Sequence, residues 1–174
     1  PHETLLMKIQ GNQQHIDEWG HEYLRLLAGQ IADLFAQWSK DGVDTEPLMT
    51  LAKQIITFMI THQDEAVACD LAIDMSAPQL VEAVDDTAFA GRICHYLRSV
   101  AVYLPAPEAA KLHDIVLRMS QRHGFLSQAM RLAIQLNRAD QVQRIIGDAS
   151  DRGEKLQMAL LAGRMRAFIP VTDD

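Results

Sequence analysis

Apolar positions recur at three- and four-residue steps along almost the whole chain, the spacing that lines one face of an α-helix, and no period-two alternation is long enough to predict a strand. The longest stripe is Ile16, Trp19, Tyr23, Leu27, Ile31, Leu34, Phe35 and Trp38, with Glu18, Glu22, Arg25 and Asp33 mostly opposite; it predicts a helix over about 13–39. Gly20 and Gly29 inside that stretch each weaken a helix by about 1 kcal/mol relative to alanine, so something is expected to pack close to the backbone at both. Leu48, Leu51, Ile55 and Phe58 predict a helix over about 46–61, opened by Pro47 and capped by Asp44 or Thr45. Asp64 starts the next, which runs to Met75, and Ser76 with Pro78 stops it before a short piece through Val84. Asp86 caps a helix to about Tyr103 that carries Phe89, Ile93, Leu97 and Val100.

Leu104-Pro105-Ala106-Pro107 is the clearest break, and the pattern restarts after it with a helix over 108–121. Phe125, Ala129, Leu132, Ala133 and Leu136 then share one face; Asn137 ends that helix and is placed to cap the next, whose stripe is Val142, Ile145 and Ile146. A last helix starts at Asp151, which with Glu154 reads as a capping box. At the other end, Leu5, Leu6, Met7 and Ile9 followed by Gly11-Asn12 read as the tail of a preceding helix.

The second half echoes the first. Met130 to Leu136 aligned on Cys69 to Met75 sets an offset of 61 residues, and the register then brings Ala129 onto Ala68, Ala133 onto Ala72, Val142 onto Val81, Leu112 onto Leu51, Val116 onto Ile55 and His123 onto His62. Each copy opens with a proline beside a glutamate, Glu46-Pro47 and Pro107-Glu108. Short amphipathic helices cannot hold themselves together in water, so they must stack. The expected class is all-α: stacked antiparallel helix pairs in a solenoid-like rod, one helical-repeat domain over 1–174 with copies at about 46–104 and 107–165 behind the long helix at 13–39. Pro1 and the run Ile169 to Asp174 suggest a piece of something longer. Ala68, Ala72, Ala129 and Ala133 are expected to let a neighbouring helix approach closely, and Trp19 and Tyr23 to pack as core rather than as an exposed binding stripe.

Charge and chemistry narrow the function. The 174 residues hold 23 acidic side chains against 16 Lys and Arg, a net charge of −7, and the basic ones are scattered, which argues against nucleic acid. No apolar run is long enough to cross a bilayer. Cys69 and Cys94 lie in no paired motif, which suits a reducing compartment. His21-Glu22 opens the zinc pattern H-E-x-x-H, but Arg25 stands where the second histidine must be. Cys94 and His95 could supply two metal ligands, but adjacent residues on a helix point about 100° apart and no remaining ligands are evident, so a buried thiol beside a surface histidine is the favoured reading. His62 and His123 sit at helix ends, where a cation favours the last carbonyls. Gly124, Gly147, Gly153 and Gly163 are isolated and form no phosphate loop, no serine has an elbow motif, and the acid pairs Asp85-Asp86 and Glu18 with Glu22 fit solvated or capping roles. No catalytic, metal or cofactor-binding residue is assigned, and no cofactor is expected. These residues describe a helical interaction module.

Several patches name a family. Trp19-Gly20-His21-Glu22-Tyr23-Leu24-Arg25 continuing through Leu27-Ala28-Gly29, Glu46-Pro47-Leu48 with Thr50-Leu51, Glu65-Ala66 with Ala68 to Leu71, Tyr96-Leu97, Tyr103 to Pro107, Ala129 to Ala133, Gln157-Met158-Ala159 and Gly163-Arg164 resemble, in order, the amino-terminal part of the proteasome regulatory-particle scaffold family called non-ATPase regulatory subunit two. The likeness covers about residues 5–168, with departures at Ser76 to Val84 and Asp148 to Lys155. It implies a non-catalytic subunit of the regulatory-particle base, in cytoplasm and nucleus, with the proteasome ATPase subunits and other regulatory-particle subunits as partners. It also implies that ubiquitin-like shuttle proteins and a deubiquitinase are recruited by later parts of the full-length protein, so no ubiquitin-contact residue falls on these positions. The alternative class is a tetratricopeptide-like peptide-binding adaptor, which should line a groove with repeated basic or polar residues; no such line is present.

Overall fold

In a computed structural model, residues 16–167 are described and are helical, with no strand among them. A 3-10 turn at Ile16–Glu18 leads into α1 (His21–Asp41), α2 (Glu46–Thr61) and α3 (Glu65–Asp74). A second 3-10 segment at Pro78–Ala83 precedes α4 (Thr87–Ala101). Then follow α5 (Ala106–Arg122), α6 (Leu126–Gln135), α7 (Ala139–Asp148) and α8 (Arg152–Arg164). The cluster Leu5 to Ile9, the break Gly11-Asn12 and the run Ile169 to Asp174 lie outside the described residues. The fold divides into two compact units, one ending at Tyr96 and one beginning at Leu97, a boundary that falls inside α4.

In the first unit α1 lies against α2 and α3, and α2 against α3, with the 3-10 segment Pro78–Ala83 on both α2 and α3. The expected start of the first helix is corrected. Gly20 takes φ 64°, a left-handed conformation that suits glycine, and the helix begins after it at His21 rather than near Gln13. Ile16 and Trp19 therefore sit on the preceding turn, and the buried face of α1 is Leu24, Leu27, Ala28, Ile31 and Leu34. Tyr23 falls on the margin of that face, 36% exposed, with its ring edge-on to the half-buried Trp19 at 6.2 Å. A methyl group at Gly20 or Gly29 would meet nothing within 4 Å, so the expected close neighbour is absent at both. Gly20 is there for its backbone angle.

The core of this unit is Leu48, Ala52, Ile55, Ile56 and Met59 of α2 against Ala68, Cys69, Leu71 and Ala72 of α3, closed by Val81. Removing each large aliphatic side chain from water contributes about 1.5–3 kcal/mol, which is what fixes such short helices in place.

The second unit has α5 against α6, and α6 against both α7 and α8. Leu112, Ile115, Val116 and Met119 of α5 face Ala129, Met130, Leu132 and Ala133 of α6 in the core, with Val142 and Ile145 of α7 and Met158 and Ala162 of α8 closing it.

The two helix pairs α2–α3 and α5–α6 share their joints residue for residue. The bounds of α6 are those of α3 advanced by 61 positions, from Glu65–Asp74 to Leu126–Gln135. Each pair turns through a left-handed residue, Gln63 (φ 64°) in the first and Gly124 (φ 74°) in the second. In both, the next amide donates back across the helix end: Asp64 N–H to Met59 O and Phe125 N–H to Ser120 O, each at 2.8 Å. This is the Schellman closure, which satisfies carbonyls that the helix leaves open. The ends of α3 and α6 repeat it with Ser76 (φ 54°) and Asn137 (φ 55°), where Ala77 N–H reaches Ala72 O and Arg138 N–H reaches Ala133 O, both at 2.9 Å. Asn137 thus terminates α6 through its backbone. The capping role expected of its side chain is not formed, and Arg138 precedes α7 with no side-chain cap.

Beyond these joints the halves part. Pro78 begins a 3-10 segment in the first, where Ala139 begins the α-helix α7 in the second.

Candidate interaction surfaces

Two buried carboxylates open α3. Asp64 and Glu65 are only 9% and 7% exposed, and neither caps its own helix with its side chain; each is held by an arginine from another element. Arg25 of α1 donates from Nε to Asp64 Oδ2 at 2.6 Å and from Nη2 to Oδ1 at 3.2 Å, a bidentate fork that locks two planes together. Arg92 of α4 donates to Glu65 Oε1 from Nε at 2.9 Å and from Nη2 at 2.5 Å, and its guanidinium lies 4.9 Å from the centre of the Phe89 ring. The Tyr96 hydroxyl donates to Asp70 at 2.7 Å, and burial together with that bond pushes its pKa up to about 12. These pairs tie α1 and the start of α4 to α3. Their sequence separations of 39, 27 and 26 residues give no local signal, and the sequence reading, which set Arg25 on a solvated face and Asp64 at a helix start, missed them.

The same geometry explains the metal pattern that fails. Arg25, in the place of a second zinc histidine, is engaged with Asp64, and His21 Nε2 stands 3.5 Å from the same carboxylate. His62 stacks on Phe58 at 3.8 Å and its Nδ1 lies 2.9 Å from the Phe58 carbonyl, so this imidazole closes the end of α2. Among the described residues no group of three or more His, Cys, Asp or Glu could hold a metal ion. Cys69 and Cys94 are fully buried, and burial drives the Cys69 thiol to about 12, far from the range in which a thiolate attacks. His95 is exposed. In the second unit His113 is held below its ordinary value by burial and by Arg98 and Arg138.

The helix starts use the acids as follows. Asp86 Oδ1 accepts from the amides of Ala88 and Phe89, Asp44 Oδ1 accepts from Glu46, and Asp151 Oδ1 accepts from Glu154. The return arm of the capping box goes one residue further out than its usual form, with Ser150 N–H donating to Glu154 Oε2 at 2.7 Å.

Of the residues assigned to helix packing, Ala68, Ala72, Ala129 and Ala133 are all fully buried, at 0% exposure. Trp19 is half-buried and Tyr23 lies at the surface edge. The other large apolar side chains left in water are Leu26 on α1, Val43 after it, Val102 and Tyr103 after α4, and Leu156 and Leu160 of α8, the last two 61% and 74% exposed. Leu156, Ala159, Leu160 and Gly163 are all exposed and fall at i, i+3, i+4 and i+7, one continuous stripe on the side of α8 away from buried Met158 and Ala162. The 61-residue offset puts His95 and Ser99 of α4 at the places of Leu156 and Leu160, and both of those are exposed and polar. Burial matches in the two helices, Leu97 with Met158 and Ala101 with Ala162, while the outer face has changed from polar to apolar. The spacing was present in the sequence, but a stripe flanked by Met158 and Leu161 does not say which side is covered.

The family model for the RPN1 N-terminal domain matches residues 1–174. Among similar proteins, 26S proteasome non-ATPase regulatory subunit 2 homolog B of Arabidopsis thaliana is 33% identical over 93% of this chain and 18% of its own length. Homolog A of the same plant is 32% identical over 99% of the chain and 19% of its length. The 26S proteasome regulatory subunit rpn1 of Schizosaccharomyces pombe is 31% identical, again over 99% and 19%. The chain thus spans about a fifth of these relatives.

Proposed function

The chain belongs to the RPN1 N-terminal domain family, and from that premise we propose that it is the helical, non-catalytic amino-terminal part of a scaffold subunit of the proteasome regulatory particle, with the exposed face of α8 as its docking surface for another helix of that particle. The carrying observation is the stripe Leu156, Ala159, Leu160 and Gly163. Two leucines in successive turns, both more than half exposed, form one apolar stripe with Ala159 and Gly163, and contiguous apolar surface of this kind is what a partner helix covers. The two small residues between and beyond them let a partner backbone come near, and a methyl group built on Gly163 meets nothing within 4 Å. A partner that presents a long amphipathic helix, as an ATPase coiled coil does, fits such a seam by side-chain interdigitation. Recruitment of ubiquitin-like shuttle factors and of a deubiquitinase belongs to regions beyond this chain, and the place of work is cytoplasm and nucleus.

The test is retention of proteasome ATPases on the full-length protein carrying Leu156→Lys with Leu160→Lys. The expected result is a loss of ATPases of at least tenfold with the helix content unchanged. Unchanged retention rejects α8 as the docking face. Two NMR titrations of the 174-residue chain complete it, one with ubiquitin and one with an ATPase coiled-coil segment. Shifts are expected only with the coiled coil, and saturable micromolar ubiquitin shifts overturn the division of labour.

A further inference from the structure

The first unit holds a cleft at a place that a side-chain hydrogen bond spans in the second. It has a volume of about 200 Å³ and lies between the end of α2, the 3-10 segment Pro78–Ala83 and the start of α4. Ile60, Leu80, Val84 and Phe89 form its walls, and Asp85 and Asp86 stand at its rim. The counterparts of Ile60 and Leu80 at the 61-residue offset are Gln121 and Gln141, and there Gln121 Nε2 donates to Gln141 Oε1 at 3.3 Å, bridging α5 to α7 across the same place. Ala83 and Asp85 correspond to Arg144 and Ile146. The cleft is therefore not a by-product of the repeated helix pair. It exists where a 3-10 segment replaces α7 and where apolar residues replace a polar bridge.

We propose that this cleft is a docking site for a peptide segment that inserts one aliphatic side chain and carries Lys or Arg beside it. Size selects the inserted group, since an aliphatic-lined cavity of about 150 Å³ takes up one benzene-sized apolar group. The rim selects the flank. Both ionisable residues that line the cleft are acidic, and Arg92, further along the same helix α4, has its guanidinium held on Glu65. Asp86 Oδ1 accepts from the first amides of α4, which fixes that carboxylate in place at the mouth. On the α2 side the hydroxyls of Thr57 and Thr61 donate to Lys53 O and Phe58 O of their own helix, at 3.0 and 2.8 Å. Recognition thus comes from apolar contact and charge, and an anionic headgroup or phosphate is repelled by the rim. The site lies in the first unit and acts independently of the α8 surface.

The experiment is fluorescence anisotropy on the 174-residue chain with three labelled peptides in a Gly-Ser frame: Lys-Leu-Ile-Arg, its acidic counterpart Glu-Leu-Ile-Glu, and the apolar-deleted Lys-Ser-Ser-Arg. Saturable binding below millimolar concentration is expected for the first, with at least tenfold weaker binding for the other two. Ala83 and Asp85 are exposed, so Ala83→Arg and Asp85→Lys leave the core intact, and each is expected to weaken the first peptide at least tenfold. Ile60→Gln with Leu80→Gln installs the bridge of the second unit and is expected to abolish binding with helix content retained. The proposal is overturned by no saturation, by equal binding of the acidic peptide, or by indifference to both surface variants. It is equally overturned if the cleft proves to hold a second copy of the chain, seen as a dimer that Ala83→Arg dissociates.

Discussion

The pairs α2–α3 and α5–α6 match under a 61-residue offset, with identical bounds for α3 and α6 and a start one residue earlier for α5, and they share left-handed joints and backbone closures, yet different chemistry holds them. Where the first pair begins its second helix with buried Asp64 and Glu65, the second has half-buried Phe125 and Leu126. The first is clamped by arginines from two other elements, while the second relies on apolar contact, with Arg138, just before α7, paired to Asp114 of α5. Backbone geometry is thus specified by what the two share: alanines on the contact face and a residue able to turn left-handed at each joint. The side chains that differ are free to build surfaces. One copy acquires a cleft and the other an apolar outer helix.

The largest test strikes the shared part. Ala129→Leu should cost about 1–3 kcal/mol by overpacking the α5–α6 contact, and Ala68→Leu a similar amount in the first pair. Equal losses in denaturant midpoint mean that both pairs depend on the same close approach, whereas a neutral Ala129→Leu removes that face from the contact. A second test separates the two chemistries. Arg25→Met leaves a carboxylate buried without its partner, whereas Asp64→Leu leaves an arginine that is 45% exposed and can turn to water. Arg25→Met should therefore lower the thermal midpoint more than Asp64→Leu does, and the double variant should recover most of the loss, because it gives the first pair the apolar character of the second. A double-mutant cycle reads this coupling.

The joints themselves give a smaller effect. Gly124→Gln forces a side chain into φ 74° and should cost about 1 kcal/mol, while Gln63→Gly should stabilise by a few tenths to about 1 kcal/mol, since relief of the left-handed strain is partly offset by glycine's greater freedom when unfolded. The smallest effect is a pH dependence confined to the second unit. The folded state holds His113 below its ordinary 6.5, so the unfolded chain takes up the proton first. The contribution is fully present above pH 6.5 and is lost as pH falls through that value toward the lower folded pKa. Thermal midpoints measured between pH 7.5 and 5.5 should fall less steeply in His113→Gln than in the parent chain.

The fold class and most helices were legible because burial writes itself in three- and four-residue steps, and Ala68, Ala72, Ala129 and Ala133, which share a register at the 61-residue offset, are all buried. Two kinds of feature were not. The start of α1 was misplaced because Gly20 looks like an interior glycine until its φ is known, and periodicity alone carries the stripe back to Ile16. The pairs Arg25–Asp64 and Arg92–Glu65 join residues 39 and 27 positions apart, and a charge on a helix looks solvated whether or not a distant partner exists. Leu156 and Leu160 were visible as apolar positions but not as exposed ones, since only the comparison with His95 and Ser99 shows that α8 has turned its usual outer face apolar.

Cys69 and Cys94 lend the first unit a chemical clock. Both thiols are fully enclosed, Cys69 is held at about 12, and both precede the division at Tyr96. An alkylating reagent can therefore modify them only in the moments when that unit opens, so the alkylation rate follows the open population where reclosing is fast and counts opening events where alkylation outpaces reclosing. The second unit, whose described residues contain no cysteine, is silent in the same reaction. A single sample treated with reagent thus reports the opening of one half of the molecule, without any mutation or spectroscopic handle being added.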